Sequence, residues 1–131
     1  MFLNVETDYA IRIINYLAIA DKRVFGKTIA LETGVTKRFS LKILHRLVSC
    51  GLLKSYKGSK GGYLLTRPAD QITLLEVVEK MGGDLAFNKC EGEIEHCTNP
   101  QGICRFRAIF DEVSNNVRES LRKVTFDTKN I

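Results

Sequence analysis

Tryptophan is absent from this chain of 131 residues, proline occurs only twice, and no apolar run approaches the roughly eighteen residues of a membrane span. The first residues lack the basic start and cleavage site of a signal peptide. We find no internal repeat and no low-complexity tract, and the length suits a single domain with a real core. These absences predict a globular protein of the cytoplasm that does not enter a membrane. Thiols stay reduced there, so four cysteines favour metal or redox chemistry over structural disulfides.

Acidic residues are missing from one long stretch. Between Lys37 and Arg67 the chain carries eight Lys or Arg and not one Asp or Glu. Residues 1–69 contain twelve basic and four acidic residues, whereas residues 70–131 contain eight basic and eleven acidic ones. A generic solvated surface mixes both signs, so the stretch indicates a polyanionic partner. A basic surface with no partner is the alternative.

The first half of the chain has the pattern of a helix-turn-helix. The spacing predicts a helix over residues 8–20 capped by Thr7, a short helix Lys27–Thr33 stopped by Gly34, and a third helix from its cap Thr36 to Ser49. We expect the apolar residues of the third helix to be buried, namely Phe39, Ile43, Leu44, Leu47 and Val48. Its basic residues lie off that stripe and are free to face a groove.

Two strand-like runs around the tip Gly58–Gly62 follow directly and predict a β-hairpin. A hairpin after a helix-turn-helix is typical of a wing whose basic tip lies along or inside the minor groove. We therefore predict binding to double-stranded DNA. The expected DNA-binding residues are Thr36, Lys37, Arg38, Ser40, Lys42, Arg46, Lys54, Lys57, Ser59, Lys60 and Arg67. Nothing in the sequence indicates an enzyme, because no nucleophile–base pairing is visible.

Cys90, Cys97 and Cys104 are spaced seven residues apart in a segment that glycine and proline interrupt. Such a segment is a loop in which three sulfurs can converge. Three thiolates with one further ligand suit an iron–sulfur cluster. Zinc held by these cysteines and His96 is an alternative, as is a redox site made of thiols alone. A small iron–sulfur carrier or electron-transfer protein is a further alternative that leaves the basic stretch unexplained.

A short helix capped by Thr73 precedes the cysteine loop, and a longer one follows it. Apolar residues recur at intervals of three and four along the longer helix: Ile103, Phe106, Phe110, Val113, Val117, Leu121 and Val124. We interpret it as a dimerisation helix, with an ordinary amphipathic helix packed on the core as the alternative. The predicted fold is mainly α with a small β-hairpin. Residues 1–83 form a winged helix-turn-helix domain, residues 84–104 a cluster-binding loop, and residues 105–131 the dimerisation helix and tail.

The run from Leu44 to Arg67, with its Gly58-Ser59-Lys60-Gly61-Gly62 turn, and the opening Thr7-Asp8-Tyr9-Ala10-Ile11-Arg12 resemble the IscR–NsrR–CymR family of winged-helix bacterial regulators. This Rrf-two superfamily resemblance covers nearly the whole chain. It implies a homodimeric transcriptional regulator, a repressor, whose operator binding responds to iron–sulfur status, redox or nitric oxide. The three-cysteine loop resembles the cluster-binding branch of the family.

The resemblance also implies a ligand set for the cluster. Cys90, Cys97 and Cys104 match the three cysteine ligands, and Asp8 matches the aspartate that completes the cluster from the partner subunit in the NsrR type. Arg107 stands where the IscR type has a ligating histidine, and it cannot ligate. His96 is the alternative fourth ligand. A 4Fe–4S cluster is favoured over a 2Fe–2S cluster.

Overall fold

The computed structural model describes residues 3–86 and 104–127. Within them the elements are α1 (Val5–Ala20), α2 (Gly26–Thr33), α3 (Lys37–Ser49), β1 (Leu53–Tyr56), β2 (Gly62–Leu65), a 3-10 turn (Ala69–Gln71), α4 (Leu74–Lys80) and α5 (Arg105–Arg122). The segment with Cys90, His96 and Cys97 lies outside the described residues. In the part of the chain that is described, no helix has the length and apolarity to span a membrane.

The first helix begins one turn earlier than predicted. Asn4 is its cap, with extended backbone and a side chain whose Oδ1 accepts hydrogen bonds from the Thr7 amide at 2.7 Å and the Thr7 hydroxyl at 2.8 Å. Thr7 itself is buried within the helix. The prediction of Thr7 as the cap is therefore wrong, because Asn is an equally good capping residue and stands where the chain enters the helix.

The turn between α2 and α3 follows the predicted pattern. Gly34 ends α2 in the left-handed region at φ 70°, which glycine adopts without steric cost. Thr36 caps α3 by accepting a hydrogen bond from the Phe39 amide. The two helices pack on α1, and their apolar residues form the main core together with Ala10, Ile13, Ile14 and Leu17.

Two adjacent residues of α3 have exchanged their expected places. Phe39 is 43% exposed and packs edge-on against the Tyr9 ring, whereas Ser40 is 1% exposed. The prediction that Phe39 is buried is wrong. Ile43, Leu44 and Leu47 define the buried stripe, and the position one turn before Ile43 and Leu44 on that stripe is residue 40.

The hairpin has a third, single-residue partner. β1 and β2 pair antiparallel with Leu53 opposite Leu65 and Tyr56 opposite Gly62. Val24, between α1 and α2, pairs with Tyr63 through two backbone hydrogen bonds of 3.1 and 2.9 Å. Gly62 has a φ of 124°, and a Cβ there would lie 2.6 Å from the Val24 oxygen. Only glycine allows this close approach.

The last helix, α5, packs on α4, and the chain that follows α5 pairs with the beginning of α4. Val117 and Leu121 of α5 contact the small apolar cluster of Leu75, Val78 and Leu85. Beyond α5, Thr125 pairs with Thr73, the predicted and observed cap of α4. Part of α5 therefore covers its own domain, as the alternative interpretation expected. Phe106, Ile109 and Val113 nevertheless remain exposed.

Candidate nucleic-acid interface and metal site

The beginning of α3 presents the basic side chains that the sequence predicted. Lys37 and Arg38 are exposed in the first turn, directly after the cap Thr36. The first turn of a recognition helix is the part that enters the major groove. Ser40 does not share this surface, because its side chain is buried. The interpretation of Ser40 as a DNA contact is therefore at odds with the structure.

Lys42 and Arg46, further along α3, are engaged by a carboxylate of α1. Lys42 Nζ lies 2.6 Å from Glu6 Oε1, and Arg46 Nη1 lies 3.1 Å from Glu6 Oε2. The hydrogen bond from Lys42, with the positive charges of both side chains, holds the pKa of Glu6 below its ordinary value in spite of desolvation. These two cations are thus partly neutralised within the chain, which the sequence could not indicate because Glu6 lies far from them.

The hairpin supplies the second basic surface. Lys54, Lys57, Ser59 and Lys60 are all exposed. A cavity of about 490 Å³ lies between α3 and the hairpin, and His45, Ser49 and Lys57 are among its lining residues. The helix and the hairpin therefore border a common cleft.

Arg67, after β2, is bound within the domain. Its Nη2 donates a hydrogen bond to Glu76 of α4, and Lys80 Nζ lies 3.1 Å from the same carboxylate oxygen. Partial burial raises the pKa of Glu76, but the hydrogen bonds from Arg67 and Lys80 outweigh this effect and hold its pKa below the ordinary value. The ion pair of Arg67 with Glu76 thus connects the base of the hairpin to α4.

One residue near the hairpin carries contacts that sequence reasoning missed. Arg23 places its guanidinium carbon 3.9 Å from the centroid of the Tyr56 ring and donates a hydrogen bond to the Lys60 carbonyl. It stands between two helices with no motif around it, so no pattern in the sequence singled it out.

The predicted metal site is described only in part. Cys104 is the residue before α5, half-buried, with a free thiol and without a capping hydrogen bond from its side chain. Asp8 is exposed on α1 and lines a cavity of about 500 Å³ with Arg12, Asn15, Leu74 and Phe126. No group of three or more candidate metal ligands occurs among residues 3–86 and 104–127. Cys90, His96 and Cys97 fall outside that part of the chain.

The donor chemistry of the described residues is compatible with a sulfur-held cluster. The Cys104 thiol is not used by the fold as a cap or a disulfide. It also stands at the positive end of a helix, which favours an anionic group. Asp8 offers a carboxylate that forms no ion pair within the described residues and that faces solvent.

A helix-turn-helix followed by a two-stranded hairpin and a long C-terminal helix defines a winged-helix fold. The fold class predicted from the sequence is confirmed. The family model of Rrf2, described as an iron-dependent transcriptional regulator, matches residues 3–128. The chain belongs to the Rrf2 family.

Several known proteins are similar over most of their length. Protein aau3 of Rhizobium meliloti (strain 1021) is 34% identical over 130 residues, which cover 97% of this chain and 83% of that protein. The HTH-type transcriptional regulator NsrR of Shouchella clausii (strain KSM-K16) is 30% identical over 116 residues, 86% of this chain and 76% of that protein.

Two solved structures share the fold. CymR (YrzC), the global cysteine regulator of B. subtilis, aligns with a TM-score of 0.80 at 20% identity and covers 99% of this chain and 97% of its own. IscR of T. potens aligns with a TM-score of 0.76 at 21% identity, covering 99% and 87%.

Proposed function

We propose that this protein is a homodimeric DNA-binding repressor whose operator affinity is controlled by an iron–sulfur cluster. One observation carries the proposal: the acid-free stretch Lys37–Arg67, which exposes basic side chains on α3 and the hairpin, belongs to the same chain as three cysteines, the last of which directly precedes α5. The family description as iron-dependent transcriptional regulators supports it.

DNA binding begins with the exposed cations. Lys37 and Arg38 approach base edges and phosphates in the major groove, while Lys57 and Lys60 of the hairpin bind phosphates beside or within the minor groove. Lys54 is a further phosphate contact, although it lies 5.4 Å from the Tyr56 ring centroid in the free protein. If four of these five cations in each subunit bind phosphate, the dimer neutralises about eight phosphates, which gives a slope of log affinity against log salt near −7.

Dimerisation uses the apolar residues that α5 leaves uncovered. Phe106, Ile109 and Val113 are spaced by three and four residues and are exposed, whereas Val117 and Leu121 are partly covered by α4. A second copy of the helix would bury this exposed surface. The dimer would then present two copies of α3 to half-sites about 34–36 Å apart.

Cys90, Cys97 and Cys104 would hold the cluster, with Asp8 of the partner subunit as the fourth ligand and His96 as the alternative. When bound, the cluster supplies a group whose integrity depends on iron supply, oxidants or nitric oxide. A carboxylate ligand suits such lability better than a fourth thiolate. We favour 4Fe–4S over 2Fe–2S.

Control of DNA affinity follows from the position of Cys104. It immediately precedes α5, so any constraint on its thiolate acts directly on the beginning of the dimerisation helix. Asp8 lies on α1, which packs against α3. A coupling of about 1–3 kcal/mol between the cysteine site and operator binding is enough to change occupancy usefully.

The decisive experiment is anaerobic purification followed by visible absorption spectroscopy and assays of iron, sulfide and zinc per chain. We expect colour, iron and acid-labile sulfide in the parent protein. The Asp8→Ala variant should contain less iron per chain than the parent. Duplex binding is then measured with and without the cluster. Colourless protein that contains zinc would support the zinc alternative, and an intact cluster without binding to any promoter fragment would support a carrier.

A further inference from the structure

Arg23 contacts both sides of the loop that forms the tip of the hairpin. Its guanidinium carbon lies 3.9 Å from the Tyr56 ring centroid at the end of β1, and its Nη1 donates a hydrogen bond of 3.0 Å to the carbonyl oxygen of Lys60. We infer that Arg23 is a positioning residue that holds the tip, residues 57–61, in the conformation that binds DNA. This inference rests on the proposed function for the role of the hairpin.

The backbone beside Arg23 is fixed to the hairpin. Val24 exchanges two hydrogen bonds with Tyr63 of β2, at 3.1 and 2.9 Å. Because Gly62 has no Cβ, the backbone of β2 can approach the backbone of Val24 this closely. The Arg23 side chain therefore starts from a point that is already attached to β2, and it extends to the end of β1 and to the tip.

The tip needs such a contact because its own backbone provides little restraint. Three of the residues from 57 to 62 are glycines, and a glycine-rich loop has many conformations to lose on ordering. Among the described residues the only backbone hydrogen bond within residues 57–61 runs from the Gly61 amide to the Gly58 oxygen, at 2.9 Å. A contact from Arg23 to the Lys60 carbonyl fixes the tip from outside while the Lys60 ammonium remains exposed.

Arginine suits both contacts at once. A guanidinium stacks on an aromatic ring through its face and donates hydrogen bonds from its edge. A lysine ammonium is a point charge and can serve only one of the two partners well. The competing interpretation is that Arg23 is one more exposed cation that binds a phosphate. Lys22 beside it is exposed, carries the same charge and has no described side-chain contact, so it is a matched control.

Amide hydrogen exchange in the free protein tests the positioning role directly. We expect Arg23→Gln to accelerate exchange of the Gly61 amide, which is bonded to the Gly58 oxygen, by about three- to tenfold, as for the loss of one or two weak exposed contacts. Tyr56→Leu should have a similar or smaller effect, because the hydrogen bond from Arg23 to Lys60 remains possible, and the double variant should exchange no faster than Arg23→Gln alone. Arg23→Lys should lie between the parent and Arg23→Gln. Lys22→Gln should match the parent.

Binding to a 30-base-pair alternating A·T duplex completes the test. Arg23→Gln should weaken binding about three- to tenfold more than Lys22→Gln, with the same salt slope as that control, because no phosphate contact is lost. Unchanged exchange in Arg23→Gln, or additive effects of Arg23→Gln and Tyr56→Leu, would overturn the inference and leave the proposed function intact. Failure of the parent protein to bind any duplex would instead overturn the proposed function, and with it the DNA role of the hairpin.

Discussion

Glu6 Oε1 lies 2.6 Å from Lys42 Nζ, and this ion pair places an acidic group of α1 against the predicted recognition helix α3. Arg46 shares the same carboxylate through its second oxygen. Of the four Lys and Arg residues of α3, two are thus paired with a carboxylate in the free protein. In the proposed complex, DNA phosphates would have to compete with Glu6 for Lys42 and Arg46.

Replacing Glu6 by Gln should strengthen binding to duplex DNA. The substitution frees Lys42 and Arg46, so the slope of log affinity against log salt should become more negative by about 1 to 2 for each subunit. A salt titration followed by fluorescence anisotropy measures it. Glu79→Gln removes the same charge from an exposed residue of α4 and should change the slope little. Weaker binding by Glu6→Gln would show that Glu6 positions the two cations for DNA instead of competing for them.

Replacing Glu76 by Gln should destabilise the fold in a pH-dependent manner. At neutral pH the loss of its contacts with Arg67 and Lys80 should cost about 0.5–1 kcal/mol of unfolding free energy, as expected for a partly exposed network. The pKa of Glu76 is lowered in the folded chain, so its stabilisation is present above about pH 4.5 and is lost as the pH falls through the lower, folded value.

Urea unfolding of the Glu76→Gln variant and the parent between pH 7 and pH 3 measures this difference. The two stabilities should converge at the acidic end. A difference that stays constant down to pH 3 would assign the effect to packing and not to the charge of Glu76. Glu79→Gln is again the control, because it forms no ion pair within the described residues.

Cys104→Ser should separate the metal site from the fold. Cys104 occupies the cap position of α5 without a capping hydrogen bond, and serine is among the best residues there. Helix content by circular dichroism should therefore be retained, and thermal stability of the cluster-free protein should be equal or higher. Visible absorption and bound iron should be lost. Full iron content in this variant would exclude Cys104 as a ligand.

Ile109→Glu should produce a monomer. The side chain is exposed on α5 between Phe106 and Val113, and a charge there would be buried without a partner in a dimer. Sedimentation at micromolar concentration distinguishes the two states. Ala108→Glu adds the same charge about 100° further round the helix and should remain dimeric. A dimer that survives Ile109→Glu would place the interface elsewhere.

Ser40→Ala should stabilise the protein without affecting DNA binding. The Ser40 hydroxyl is buried and has no hydrogen-bond partner within residues 3–86 and 104–127. Removing such a group is expected to gain about 1 kcal/mol of unfolding free energy. Ser49→Ala, on an exposed turn of the same helix, should be neutral. A lower operator affinity of the Ser40→Ala variant would instead indicate that Ser40 contributes to DNA binding.

Local signals predicted the elements whose causes are local. Thr36 and Thr73 each cap the helix that follows them, and Gly34 ends α2, because the capping atoms and the freed amides lie within a few residues of one another. The same reasoning failed at Thr7, where Asn4 offered a competing cap. Periodicity predicted most of the buried residues of α3 correctly. At the beginning of the helix it predicted a buried Phe39 and an exposed Ser40, and the structure shows the reverse.

Contacts between distant parts of the chain were beyond the sequence pattern. Glu6 meets Lys42 across thirty-six residues, and Arg23 meets Lys60 across thirty-seven. Each pair depends on how whole elements pack, which spacing rules do not encode. The basic stretch predicted the character of the surface correctly as exposed and positive at Lys37, Arg38, Lys57 and Lys60. It could not indicate that Lys42, Arg46 and Arg67 already have partners.

The bridge between Thr73 and Thr125 attaches one end of α5 to the body of the domain. The Leu74 amide donates to the Val124 oxygen at 2.8 Å, and the Phe126 amide donates to the oxygens of Ala69 and Ile72. These bonds fasten the end of the helix remote from Cys104 to the body of the domain. A small displacement at Cys104 would therefore turn α5 about a distal pivot. Two such helices in the proposed dimer would convert a shift at the sulfur into a change in the separation of the two α3 helices.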